Sequence, residues 1–187
     1  MTGSTLHVPK TIVLVGLMGA GKSSIGRRLA QTLMLPFVDA DTEIESAAGT
    51  SIDEIFARDG EAAFRNGERR VIARLLENAT QILATGGGAF MDPETRALIR
   101  DHAISVWLRA DLEVLLTRVA RRNNRPLLKN GDPRAVLARL IDERYPIYAE
   151  ADLTVDTVDG PPEATLARVV STLEQYVAQT GATHEPA

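Results

Sequence analysis

The chain has 187 residues, 44% of them hydrophobic and 25% charged, and a net charge of −4. That length supports one domain around one core, and the acidic balance argues against nucleic acid as a partner. With no cysteine there are no disulfides, no thiolate nucleophile and no zinc thiolates, and no apolar run nears the roughly twenty residues of a membrane span, so the expectation is a cytoplasmic protein without a membrane partner.

Met1 to Pro9 reads as a frayed end, and the first element is an apolar β-like run, Thr11–Val15. It leads into GLMGAGKSS, Gly16 to Ser24, in which Gly16 to Ser23 fit the phosphate-loop pattern G-x-x-x-x-G-K-[ST]. A triphosphate needs many inward-pointing backbone N–H groups, and glycine removes the side chains that would block its approach. The helix expected from Lys22 adds its positive dipole end and Lys22 adds a mobile charge. Gly19, Ala20, Gly21, Lys22, Ser23 and Ser24 are therefore the expected nucleotide-binding residues, with Ser23 a magnesium ligand.

A second strand is expected at Pro36–Asp39. Strand side chains alternate, so Asp39 and Asp41 are expected on one side, Asp39 for magnesium and Asp41 for a substrate hydroxyl. An N-cap of the next helix is the alternative for Asp41. Ser51 with Glu54 reads as a capping box. RNGERR, Arg65 to Arg70, falls between two helical patterns, and a solvated helix face is its plainer reading. A third strand, Gln81–Ala84, runs into TGGG, Thr85 to Gly88; these glycines either let a ligand approach the backbone or form a tight turn.

Asp92–Pro93 and Asp132–Pro133 each place a cap before a first-turn proline, and Asp111 caps a further helix. Between them lie a fourth strand, Ile104–Leu108, and a second basic run, RVARRNNR, Arg118 to Arg125. A fifth strand, Leu153–Val155, precedes a last helix with Leu166, Val169, Val170, Leu173 and Val177 at core spacing, and Thr180 to Ala187 reads as a frayed end. Strands alternating with helices imply an α/β fold, a parallel sheet covered on both faces.

Taken together, GLMGAGKSSIGRRLA, FVDAD, FRNGE, ATGGGA, RPLL and ERYPIYAEAD make the chain resemble the shikimate kinases, from about Thr11 to Gln179. The resemblance implies a five-stranded parallel sheet of the P-loop kinase type, a substrate-binding helical region around 42–77 and a mobile lid around 121–132. It implies phosphorylation of shikimate by ATP, with Mg2+, to give shikimate 3-phosphate and ADP, by a monomer. Asp41, Arg65, Gly87 and Arg144 match the family's shikimate-binding residues, with Gly86 and Gly88 beside them. Lys22, Asp41 and Arg125 take the catalytic roles, Arg125 from the lid, while Arg118 and Val155 to Thr157 lie where the family places the adenine. Two departures are visible: Ala40 replaces a hydroxyl residue between the aspartates, and TVDGPP, Thr157 to Pro162, does not reproduce the arginine-containing adenine loop.

A kinase for another polyhydroxy acid, such as gluconate, would need the same carboxylate clamp and hydroxyl base. A GTPase switch would need N-K-x-D and D-x-x-G, and neither pattern occurs. The length and acidic balance argue against a helicase or transporter ATPase module.

Overall fold

A computed structural model describes residues 6–121 and 131–181. Five strands, β1 (Thr11–Val15), β2 (Phe37–Asp39), β3 (Ile82–Ala84), β4 (Ala103–Arg109) and β5 (Leu153–Asp156), form one sheet in the order β2-β3-β1-β4-β5. All four strand pairs are parallel. Every residue of the central β1 is buried, so both faces of the sheet are covered there, as a parallel sheet requires. The expected strands agree with the observed ones to within one residue at each end.

The helices are α1 (Lys22–Leu33), α2 (Ala40–Ala48), α3 (Ile52–Leu76), α4 (Pro93–His102), α5 (Leu112–Ala120), α6 (Pro133–Tyr148) and α7 (Pro162–Gly181). Their starts follow from local hydrogen bonding. Ser51 and Glu54 form the reciprocal capping box of α3, and Asp92, Asp111 and Asp132 each cap a helix by accepting backbone N–H bonds. In α7 Val169 and Leu173 are fully buried, while Leu166, Val170 and Val177 pack against the core at its edge.

Register fixes where ligands can bind. Leu14 pairs with Ala84, and Asp39 also pairs with Ala84, so β1, β2 and β3 end level with one another. The phosphate loop, Asp39 and the glycine run therefore leave the sheet at one edge. Sheet order reverses about β1, and the crevice beyond the carboxyl ends at such a switch point is where open α/β sheets bind ligands.

Three expectations need correction. Arg65 to Arg70 does not lie between helices: it sits inside α3, and the only non-helical residue there is Gly60, with φ 83° and ψ 175°. The end segments are not wholly frayed, because Val8 is a buried core residue and α7 runs through Thr180 to Gly181. The strand alternation argument for Asp41 also fails. The strand ends at Asp39, which caps α2, and Asp41 belongs to the first helical turn.

The core makes a direct prediction. Ile12 is fully buried in the middle strand, four residues before the loop. Ile12→Ala is expected to cost about 2–5 kcal/mol and to lower Tm by roughly 5–15 °C. Thermal unfolding followed by circular dichroism checks this, and an unchanged Tm would contradict the packing described.

Candidate active site

The phosphate loop joins β1 to α1 through residues whose backbone excludes ordinary side chains. Gly21, the N-cap of α1, has φ 99°, and a Cβ on Gly16 would stand 2.8 Å from the Leu108 carbonyl oxygen. Lys22 Nζ donates to the carbonyl oxygens of Gly16 (2.7 Å) and Leu17 (3.0 Å), which holds the ammonium over the loop.

Beside it, Ser23 Oγ donates to Asp39 Oδ2 at 2.9 Å, while Asp39 Oδ1 accepts from the backbone N–H of Asp41 and Thr42. Capping thus turns Asp39 so that its other oxygen meets Ser23. Two neighbouring ligands of an octahedral Mg2+ at about 2.1 Å are about 3.0 Å apart, close to this separation, so this pair of hard oxygens fits that ion. Among the described residues no group of three or more His, Cys, Asp or Glu could hold a metal, so phosphate or water oxygens would complete the shell.

A cavity of about 110 Å³ is lined by Lys22, Ser23, Asp39, Asp41, Gly86 and Gly87 among others. The first turn of α2 brings Asp41 to it, with Ala40 buried beneath. Burial raises the pKa of the Asp41 carboxyl, the charge of Asp39 raises it further, and Lys22 opposes both. The result is a more basic carboxylate than an exposed aspartate, facing the phosphate loop.

The glycine run forms the wall opposite. A Cβ on Gly86 would stand 2.8 Å from Asp41 Oδ1, and one on Gly87 3.2 Å from Arg144 Nη1. One on Gly88 would overlap the Arg65 guanidinium, with Cζ only 2.6 Å away. None of the three has positive φ, so close approach rather than turn conformation accounts for the glycines. Arg65 and Arg144 border a second cavity, of about 360 Å³, beyond Gly88. Its lining also includes Gly88, Glu61, Asp92 and Glu143, and the two guanidinium groups are its cationic members, each able to bind a carboxylate through paired N–H donors.

Two partners of these arginines were not assigned from the sequence. Glu68, buried at 2% exposure, accepts from Arg65 Nη1 at 2.8 Å, and its pKa is raised by burial against the attraction of Arg65. The i, i+3 spacing from Arg65 was the available signal. Tyr148 is fully buried, its hydroxyl donates to the Gly87 carbonyl, and burial raises its pKa against the opposing charge of Arg144.

On the other side of the phosphate loop, a cavity of about 210 Å³ is lined by Gly19, Gly21, Ser24, Arg118, Thr157 and others. Arg118 Nη1 donates to the carbonyl of Ala20 (3.0 Å) and to Thr157 Oγ1 (2.7 Å), and Nη2 to the Val158 carbonyl (2.8 Å). Of Val155 to Thr157, only Thr157 lines this cavity: Val155 is buried in the sheet and Asp156 pairs with Arg109. Arg125 and nearly all of the expected lid lie outside the described residues.

A family model described as shikimate kinase matches residues 18–174. A shikimate kinase of Paramagnetospirillum magneticum is 61% identical over 171 residues, covering 91% of this chain and 88% of that one. One from Caulobacter vibrioides is 60% identical over 166 residues, covering 89% and 83%. Among solved structures, a shikimate kinase from Acinetobacter baumannii in complex with shikimate superposes with a TM-score of 0.84 at 37% identity, over 89% of this chain and 94% of the other. A P-loop kinase sheet, a walled site for an acid beside its phosphate loop and relatives this similar along nearly the whole length place the chain in the shikimate kinase family.

Proposed function

We propose that the three cavities divide one phosphoryl transfer among them: the base in the Arg118 cavity, the phosphates between Lys22 and Asp41, and the acid between Arg65 and Arg144. The reaction moves the γ-phosphoryl group of ATP to a shikimate hydroxyl, giving shikimate 3-phosphate and ADP. The observation that carries the residue assignment is the glycine wall, where Asp41, Arg144 and Arg65 meet three successive residues without side chains.

Arg65 and Arg144 hold the substrate carboxylate, and Asp41 orients the attacking hydroxyl. As the hydroxyl oxygen bonds to phosphorus, the bond from phosphorus to the β,γ-bridging oxygen breaks, the electron pair leaves with ADP, and the hydroxyl proton passes to Asp41. Lys22 and the loop N–H groups balance charge on the phosphates. Mg2+, held by Ser23 and Asp39, would neutralise further charge on the β- and γ-phosphates. Arg125 is assigned to the transferring phosphate on the family resemblance alone. A monomer in the cytoplasm is part of the same reading.

Release of ADP, measured with Mg2+ and ATP, tests the acceptor. Saturable turnover is expected with shikimate, at a kcat/KM roughly 10⁴-fold above that for gluconate, and none with nucleoside monophosphates. Equal values for gluconate would overturn the acceptor assignment, and ATP hydrolysis indifferent to any acceptor would overturn the kinase reading.

The raised pKa of Asp41 has two further consequences. Activity needs the carboxylate, so kcat/KM should fall on acidification at a pH above that of an exposed aspartate. For stability the sign is opposite. With its folded pKa above the unfolded one, Asp41 favours the native state when protonated, and that contribution is lost as pH rises through the folded pKa. Asp41→Asn should therefore raise Tm at pH 7 while reducing kcat at least about a hundredfold. A lower Tm, or a near-normal kcat, would contradict this.

A further inference from the structure

Tyr148 and Arg144 are four residues apart on α6, so their side chains share one face of the helix. Tyr148 sits in an aromatic cluster with Trp107 (centroids 5.8 Å apart), Tyr145 (6.2 Å) and Phe90 (6.5 Å), and it is among the largest fully buried side chains. Packing alone would be served by phenylalanine. A phenol at full burial needs a partner for its hydroxyl, and here the partner is the carbonyl of Gly87, the middle residue of the wall, against which Arg144 Nη1 also lies. Gly87 in turn backs onto the phosphate loop: its missing Cβ would be 3.7 Å from both the Gly16 carbonyl oxygen and the Met18 nitrogen.

We infer that Tyr148 is a positioning residue for the acid: its hydroxyl, anchored on the Gly87 carbonyl, fixes the direction in which Arg144 presents its guanidinium. This rests on the reading of Arg144 as half of the carboxylate clamp. A guanidinium has several rotamers, and the two oxygens of a carboxylate demand one of them. The phenol's own hydrogen is committed to Gly87, so the hydroxyl cannot rotate away, and its oxygen stays beside the charge of Arg144, which lies against the same glycine. Removing that oxygen leaves the ring packing intact and releases Arg144 alone. The effect belongs in the affinity for the acid, because Tyr148 is not among the described residues that line the nucleotide cavity.

Tyr145 provides an internal control. It lies on the same helix, edge-on to Trp107 at 4.9 Å, and its hydroxyl donates to the Ala110 carbonyl rather than to the wall. Tyr148→Phe is expected to raise KM for shikimate roughly ten- to hundredfold, the size of effect that a small misplacement of a binding group produces. KM for ATP and kcat should stay within about threefold. Tyr145→Phe should leave both KM values within twofold. Tyr148→Met, a flexible apolar chain that also lacks the hydroxyl, should reproduce the selective rise if the phenyl ring alone does not fold well. The dissociation constant of shikimate, followed by the fluorescence of the single tryptophan, Trp107, should move with KM.

A double-mutant cycle separates this role from simple packing. In an Arg144→Lys background, itself expected to raise KM for shikimate, Tyr148→Phe should add less than about twofold, because the group it positions is already gone. Full additivity, an unchanged KM in Tyr148→Phe, or an equal rise for ATP and shikimate would overturn the inference while leaving the clamp in place. An Arg144→Lys enzyme with normal KM would overturn the clamp and this inference together.

Discussion

A Cβ on Gly86 or Gly88 would overlap Asp41 or Arg65, and one on Gly87 would press against Arg144 at 3.2 Å. These contacts join parts of the chain far apart in sequence. Asp41 arrives from α2, Arg65 from the middle of α3 and Arg144 from near the end of α6, while the wall itself continues from β3. Level strand ends make the meeting possible, since the register of β2, β3 and β1 brings Asp39, Thr85 and Gly16 off the sheet at one edge. Thr85 secures the start of the wall by donating its hydroxyl to the Leu14 carbonyl at 2.9 Å, so the wall is tied to the strand that launches the phosphate loop. The distance between nucleotide and acceptor sites is therefore set by sheet pairing rather than by loop packing.

Charge is the second constraint. Lys22, Arg65 and Arg144 are set among the carboxylates of Asp39, Asp41 and Glu68, with Arg65 paired to Glu68 within α3. Asp41 and Glu68 are both held above their ordinary pKa chiefly by burial. Keeping such carboxylates ionised costs stability, and each has a task that justifies the cost. Glu68 braces Arg65 at 2.8 Å and so limits the rotamers the guanidinium can take. Asp39 divides its two oxygens between the start of α2 and Ser23, so the same residue shapes the helix that carries Asp41 and the oxygen pair that fits Mg2+.

Much of this was legible in the sequence because it depends on local rules. The phosphate loop, the caps at Ser51, Asp92, Asp111 and Asp132, and five short apolar runs between helices each have short-range causes, and they appear where expected. The errors share a different cause. Asp41 was placed by strand alternation, but Asp39 ends the strand by capping a helix, and the competition between two uses of one aspartate is not visible from spacing. Arg65 to Arg70 lies within α3 because a single residue, Gly60, absorbs the break that was expected over several. Tyr148 went unassigned because its partner, the carbonyl of a residue 61 positions away, is a fact of tertiary packing, whereas the i, i+3 spacing of Glu68 from Arg65 was visible and only its burial was not. For the glycine triplet the sequence left open the approach of a ligand or a tight turn, and side chains of the protein itself press against it.

If missing side chains hold the clamp in place, Gly88→Ala should disturb it, because this glycine lies under the Arg65 guanidinium. With no positive φ to strain the backbone, the added methyl acts by displacing Arg65. Steady-state kinetics should give a KM for shikimate raised roughly tenfold or more and a KM for ATP within twofold of the parent enzyme. A normal KM for shikimate in a folded Gly88→Ala enzyme would contradict the claim that the glycine wall positions the acid-binding side chains.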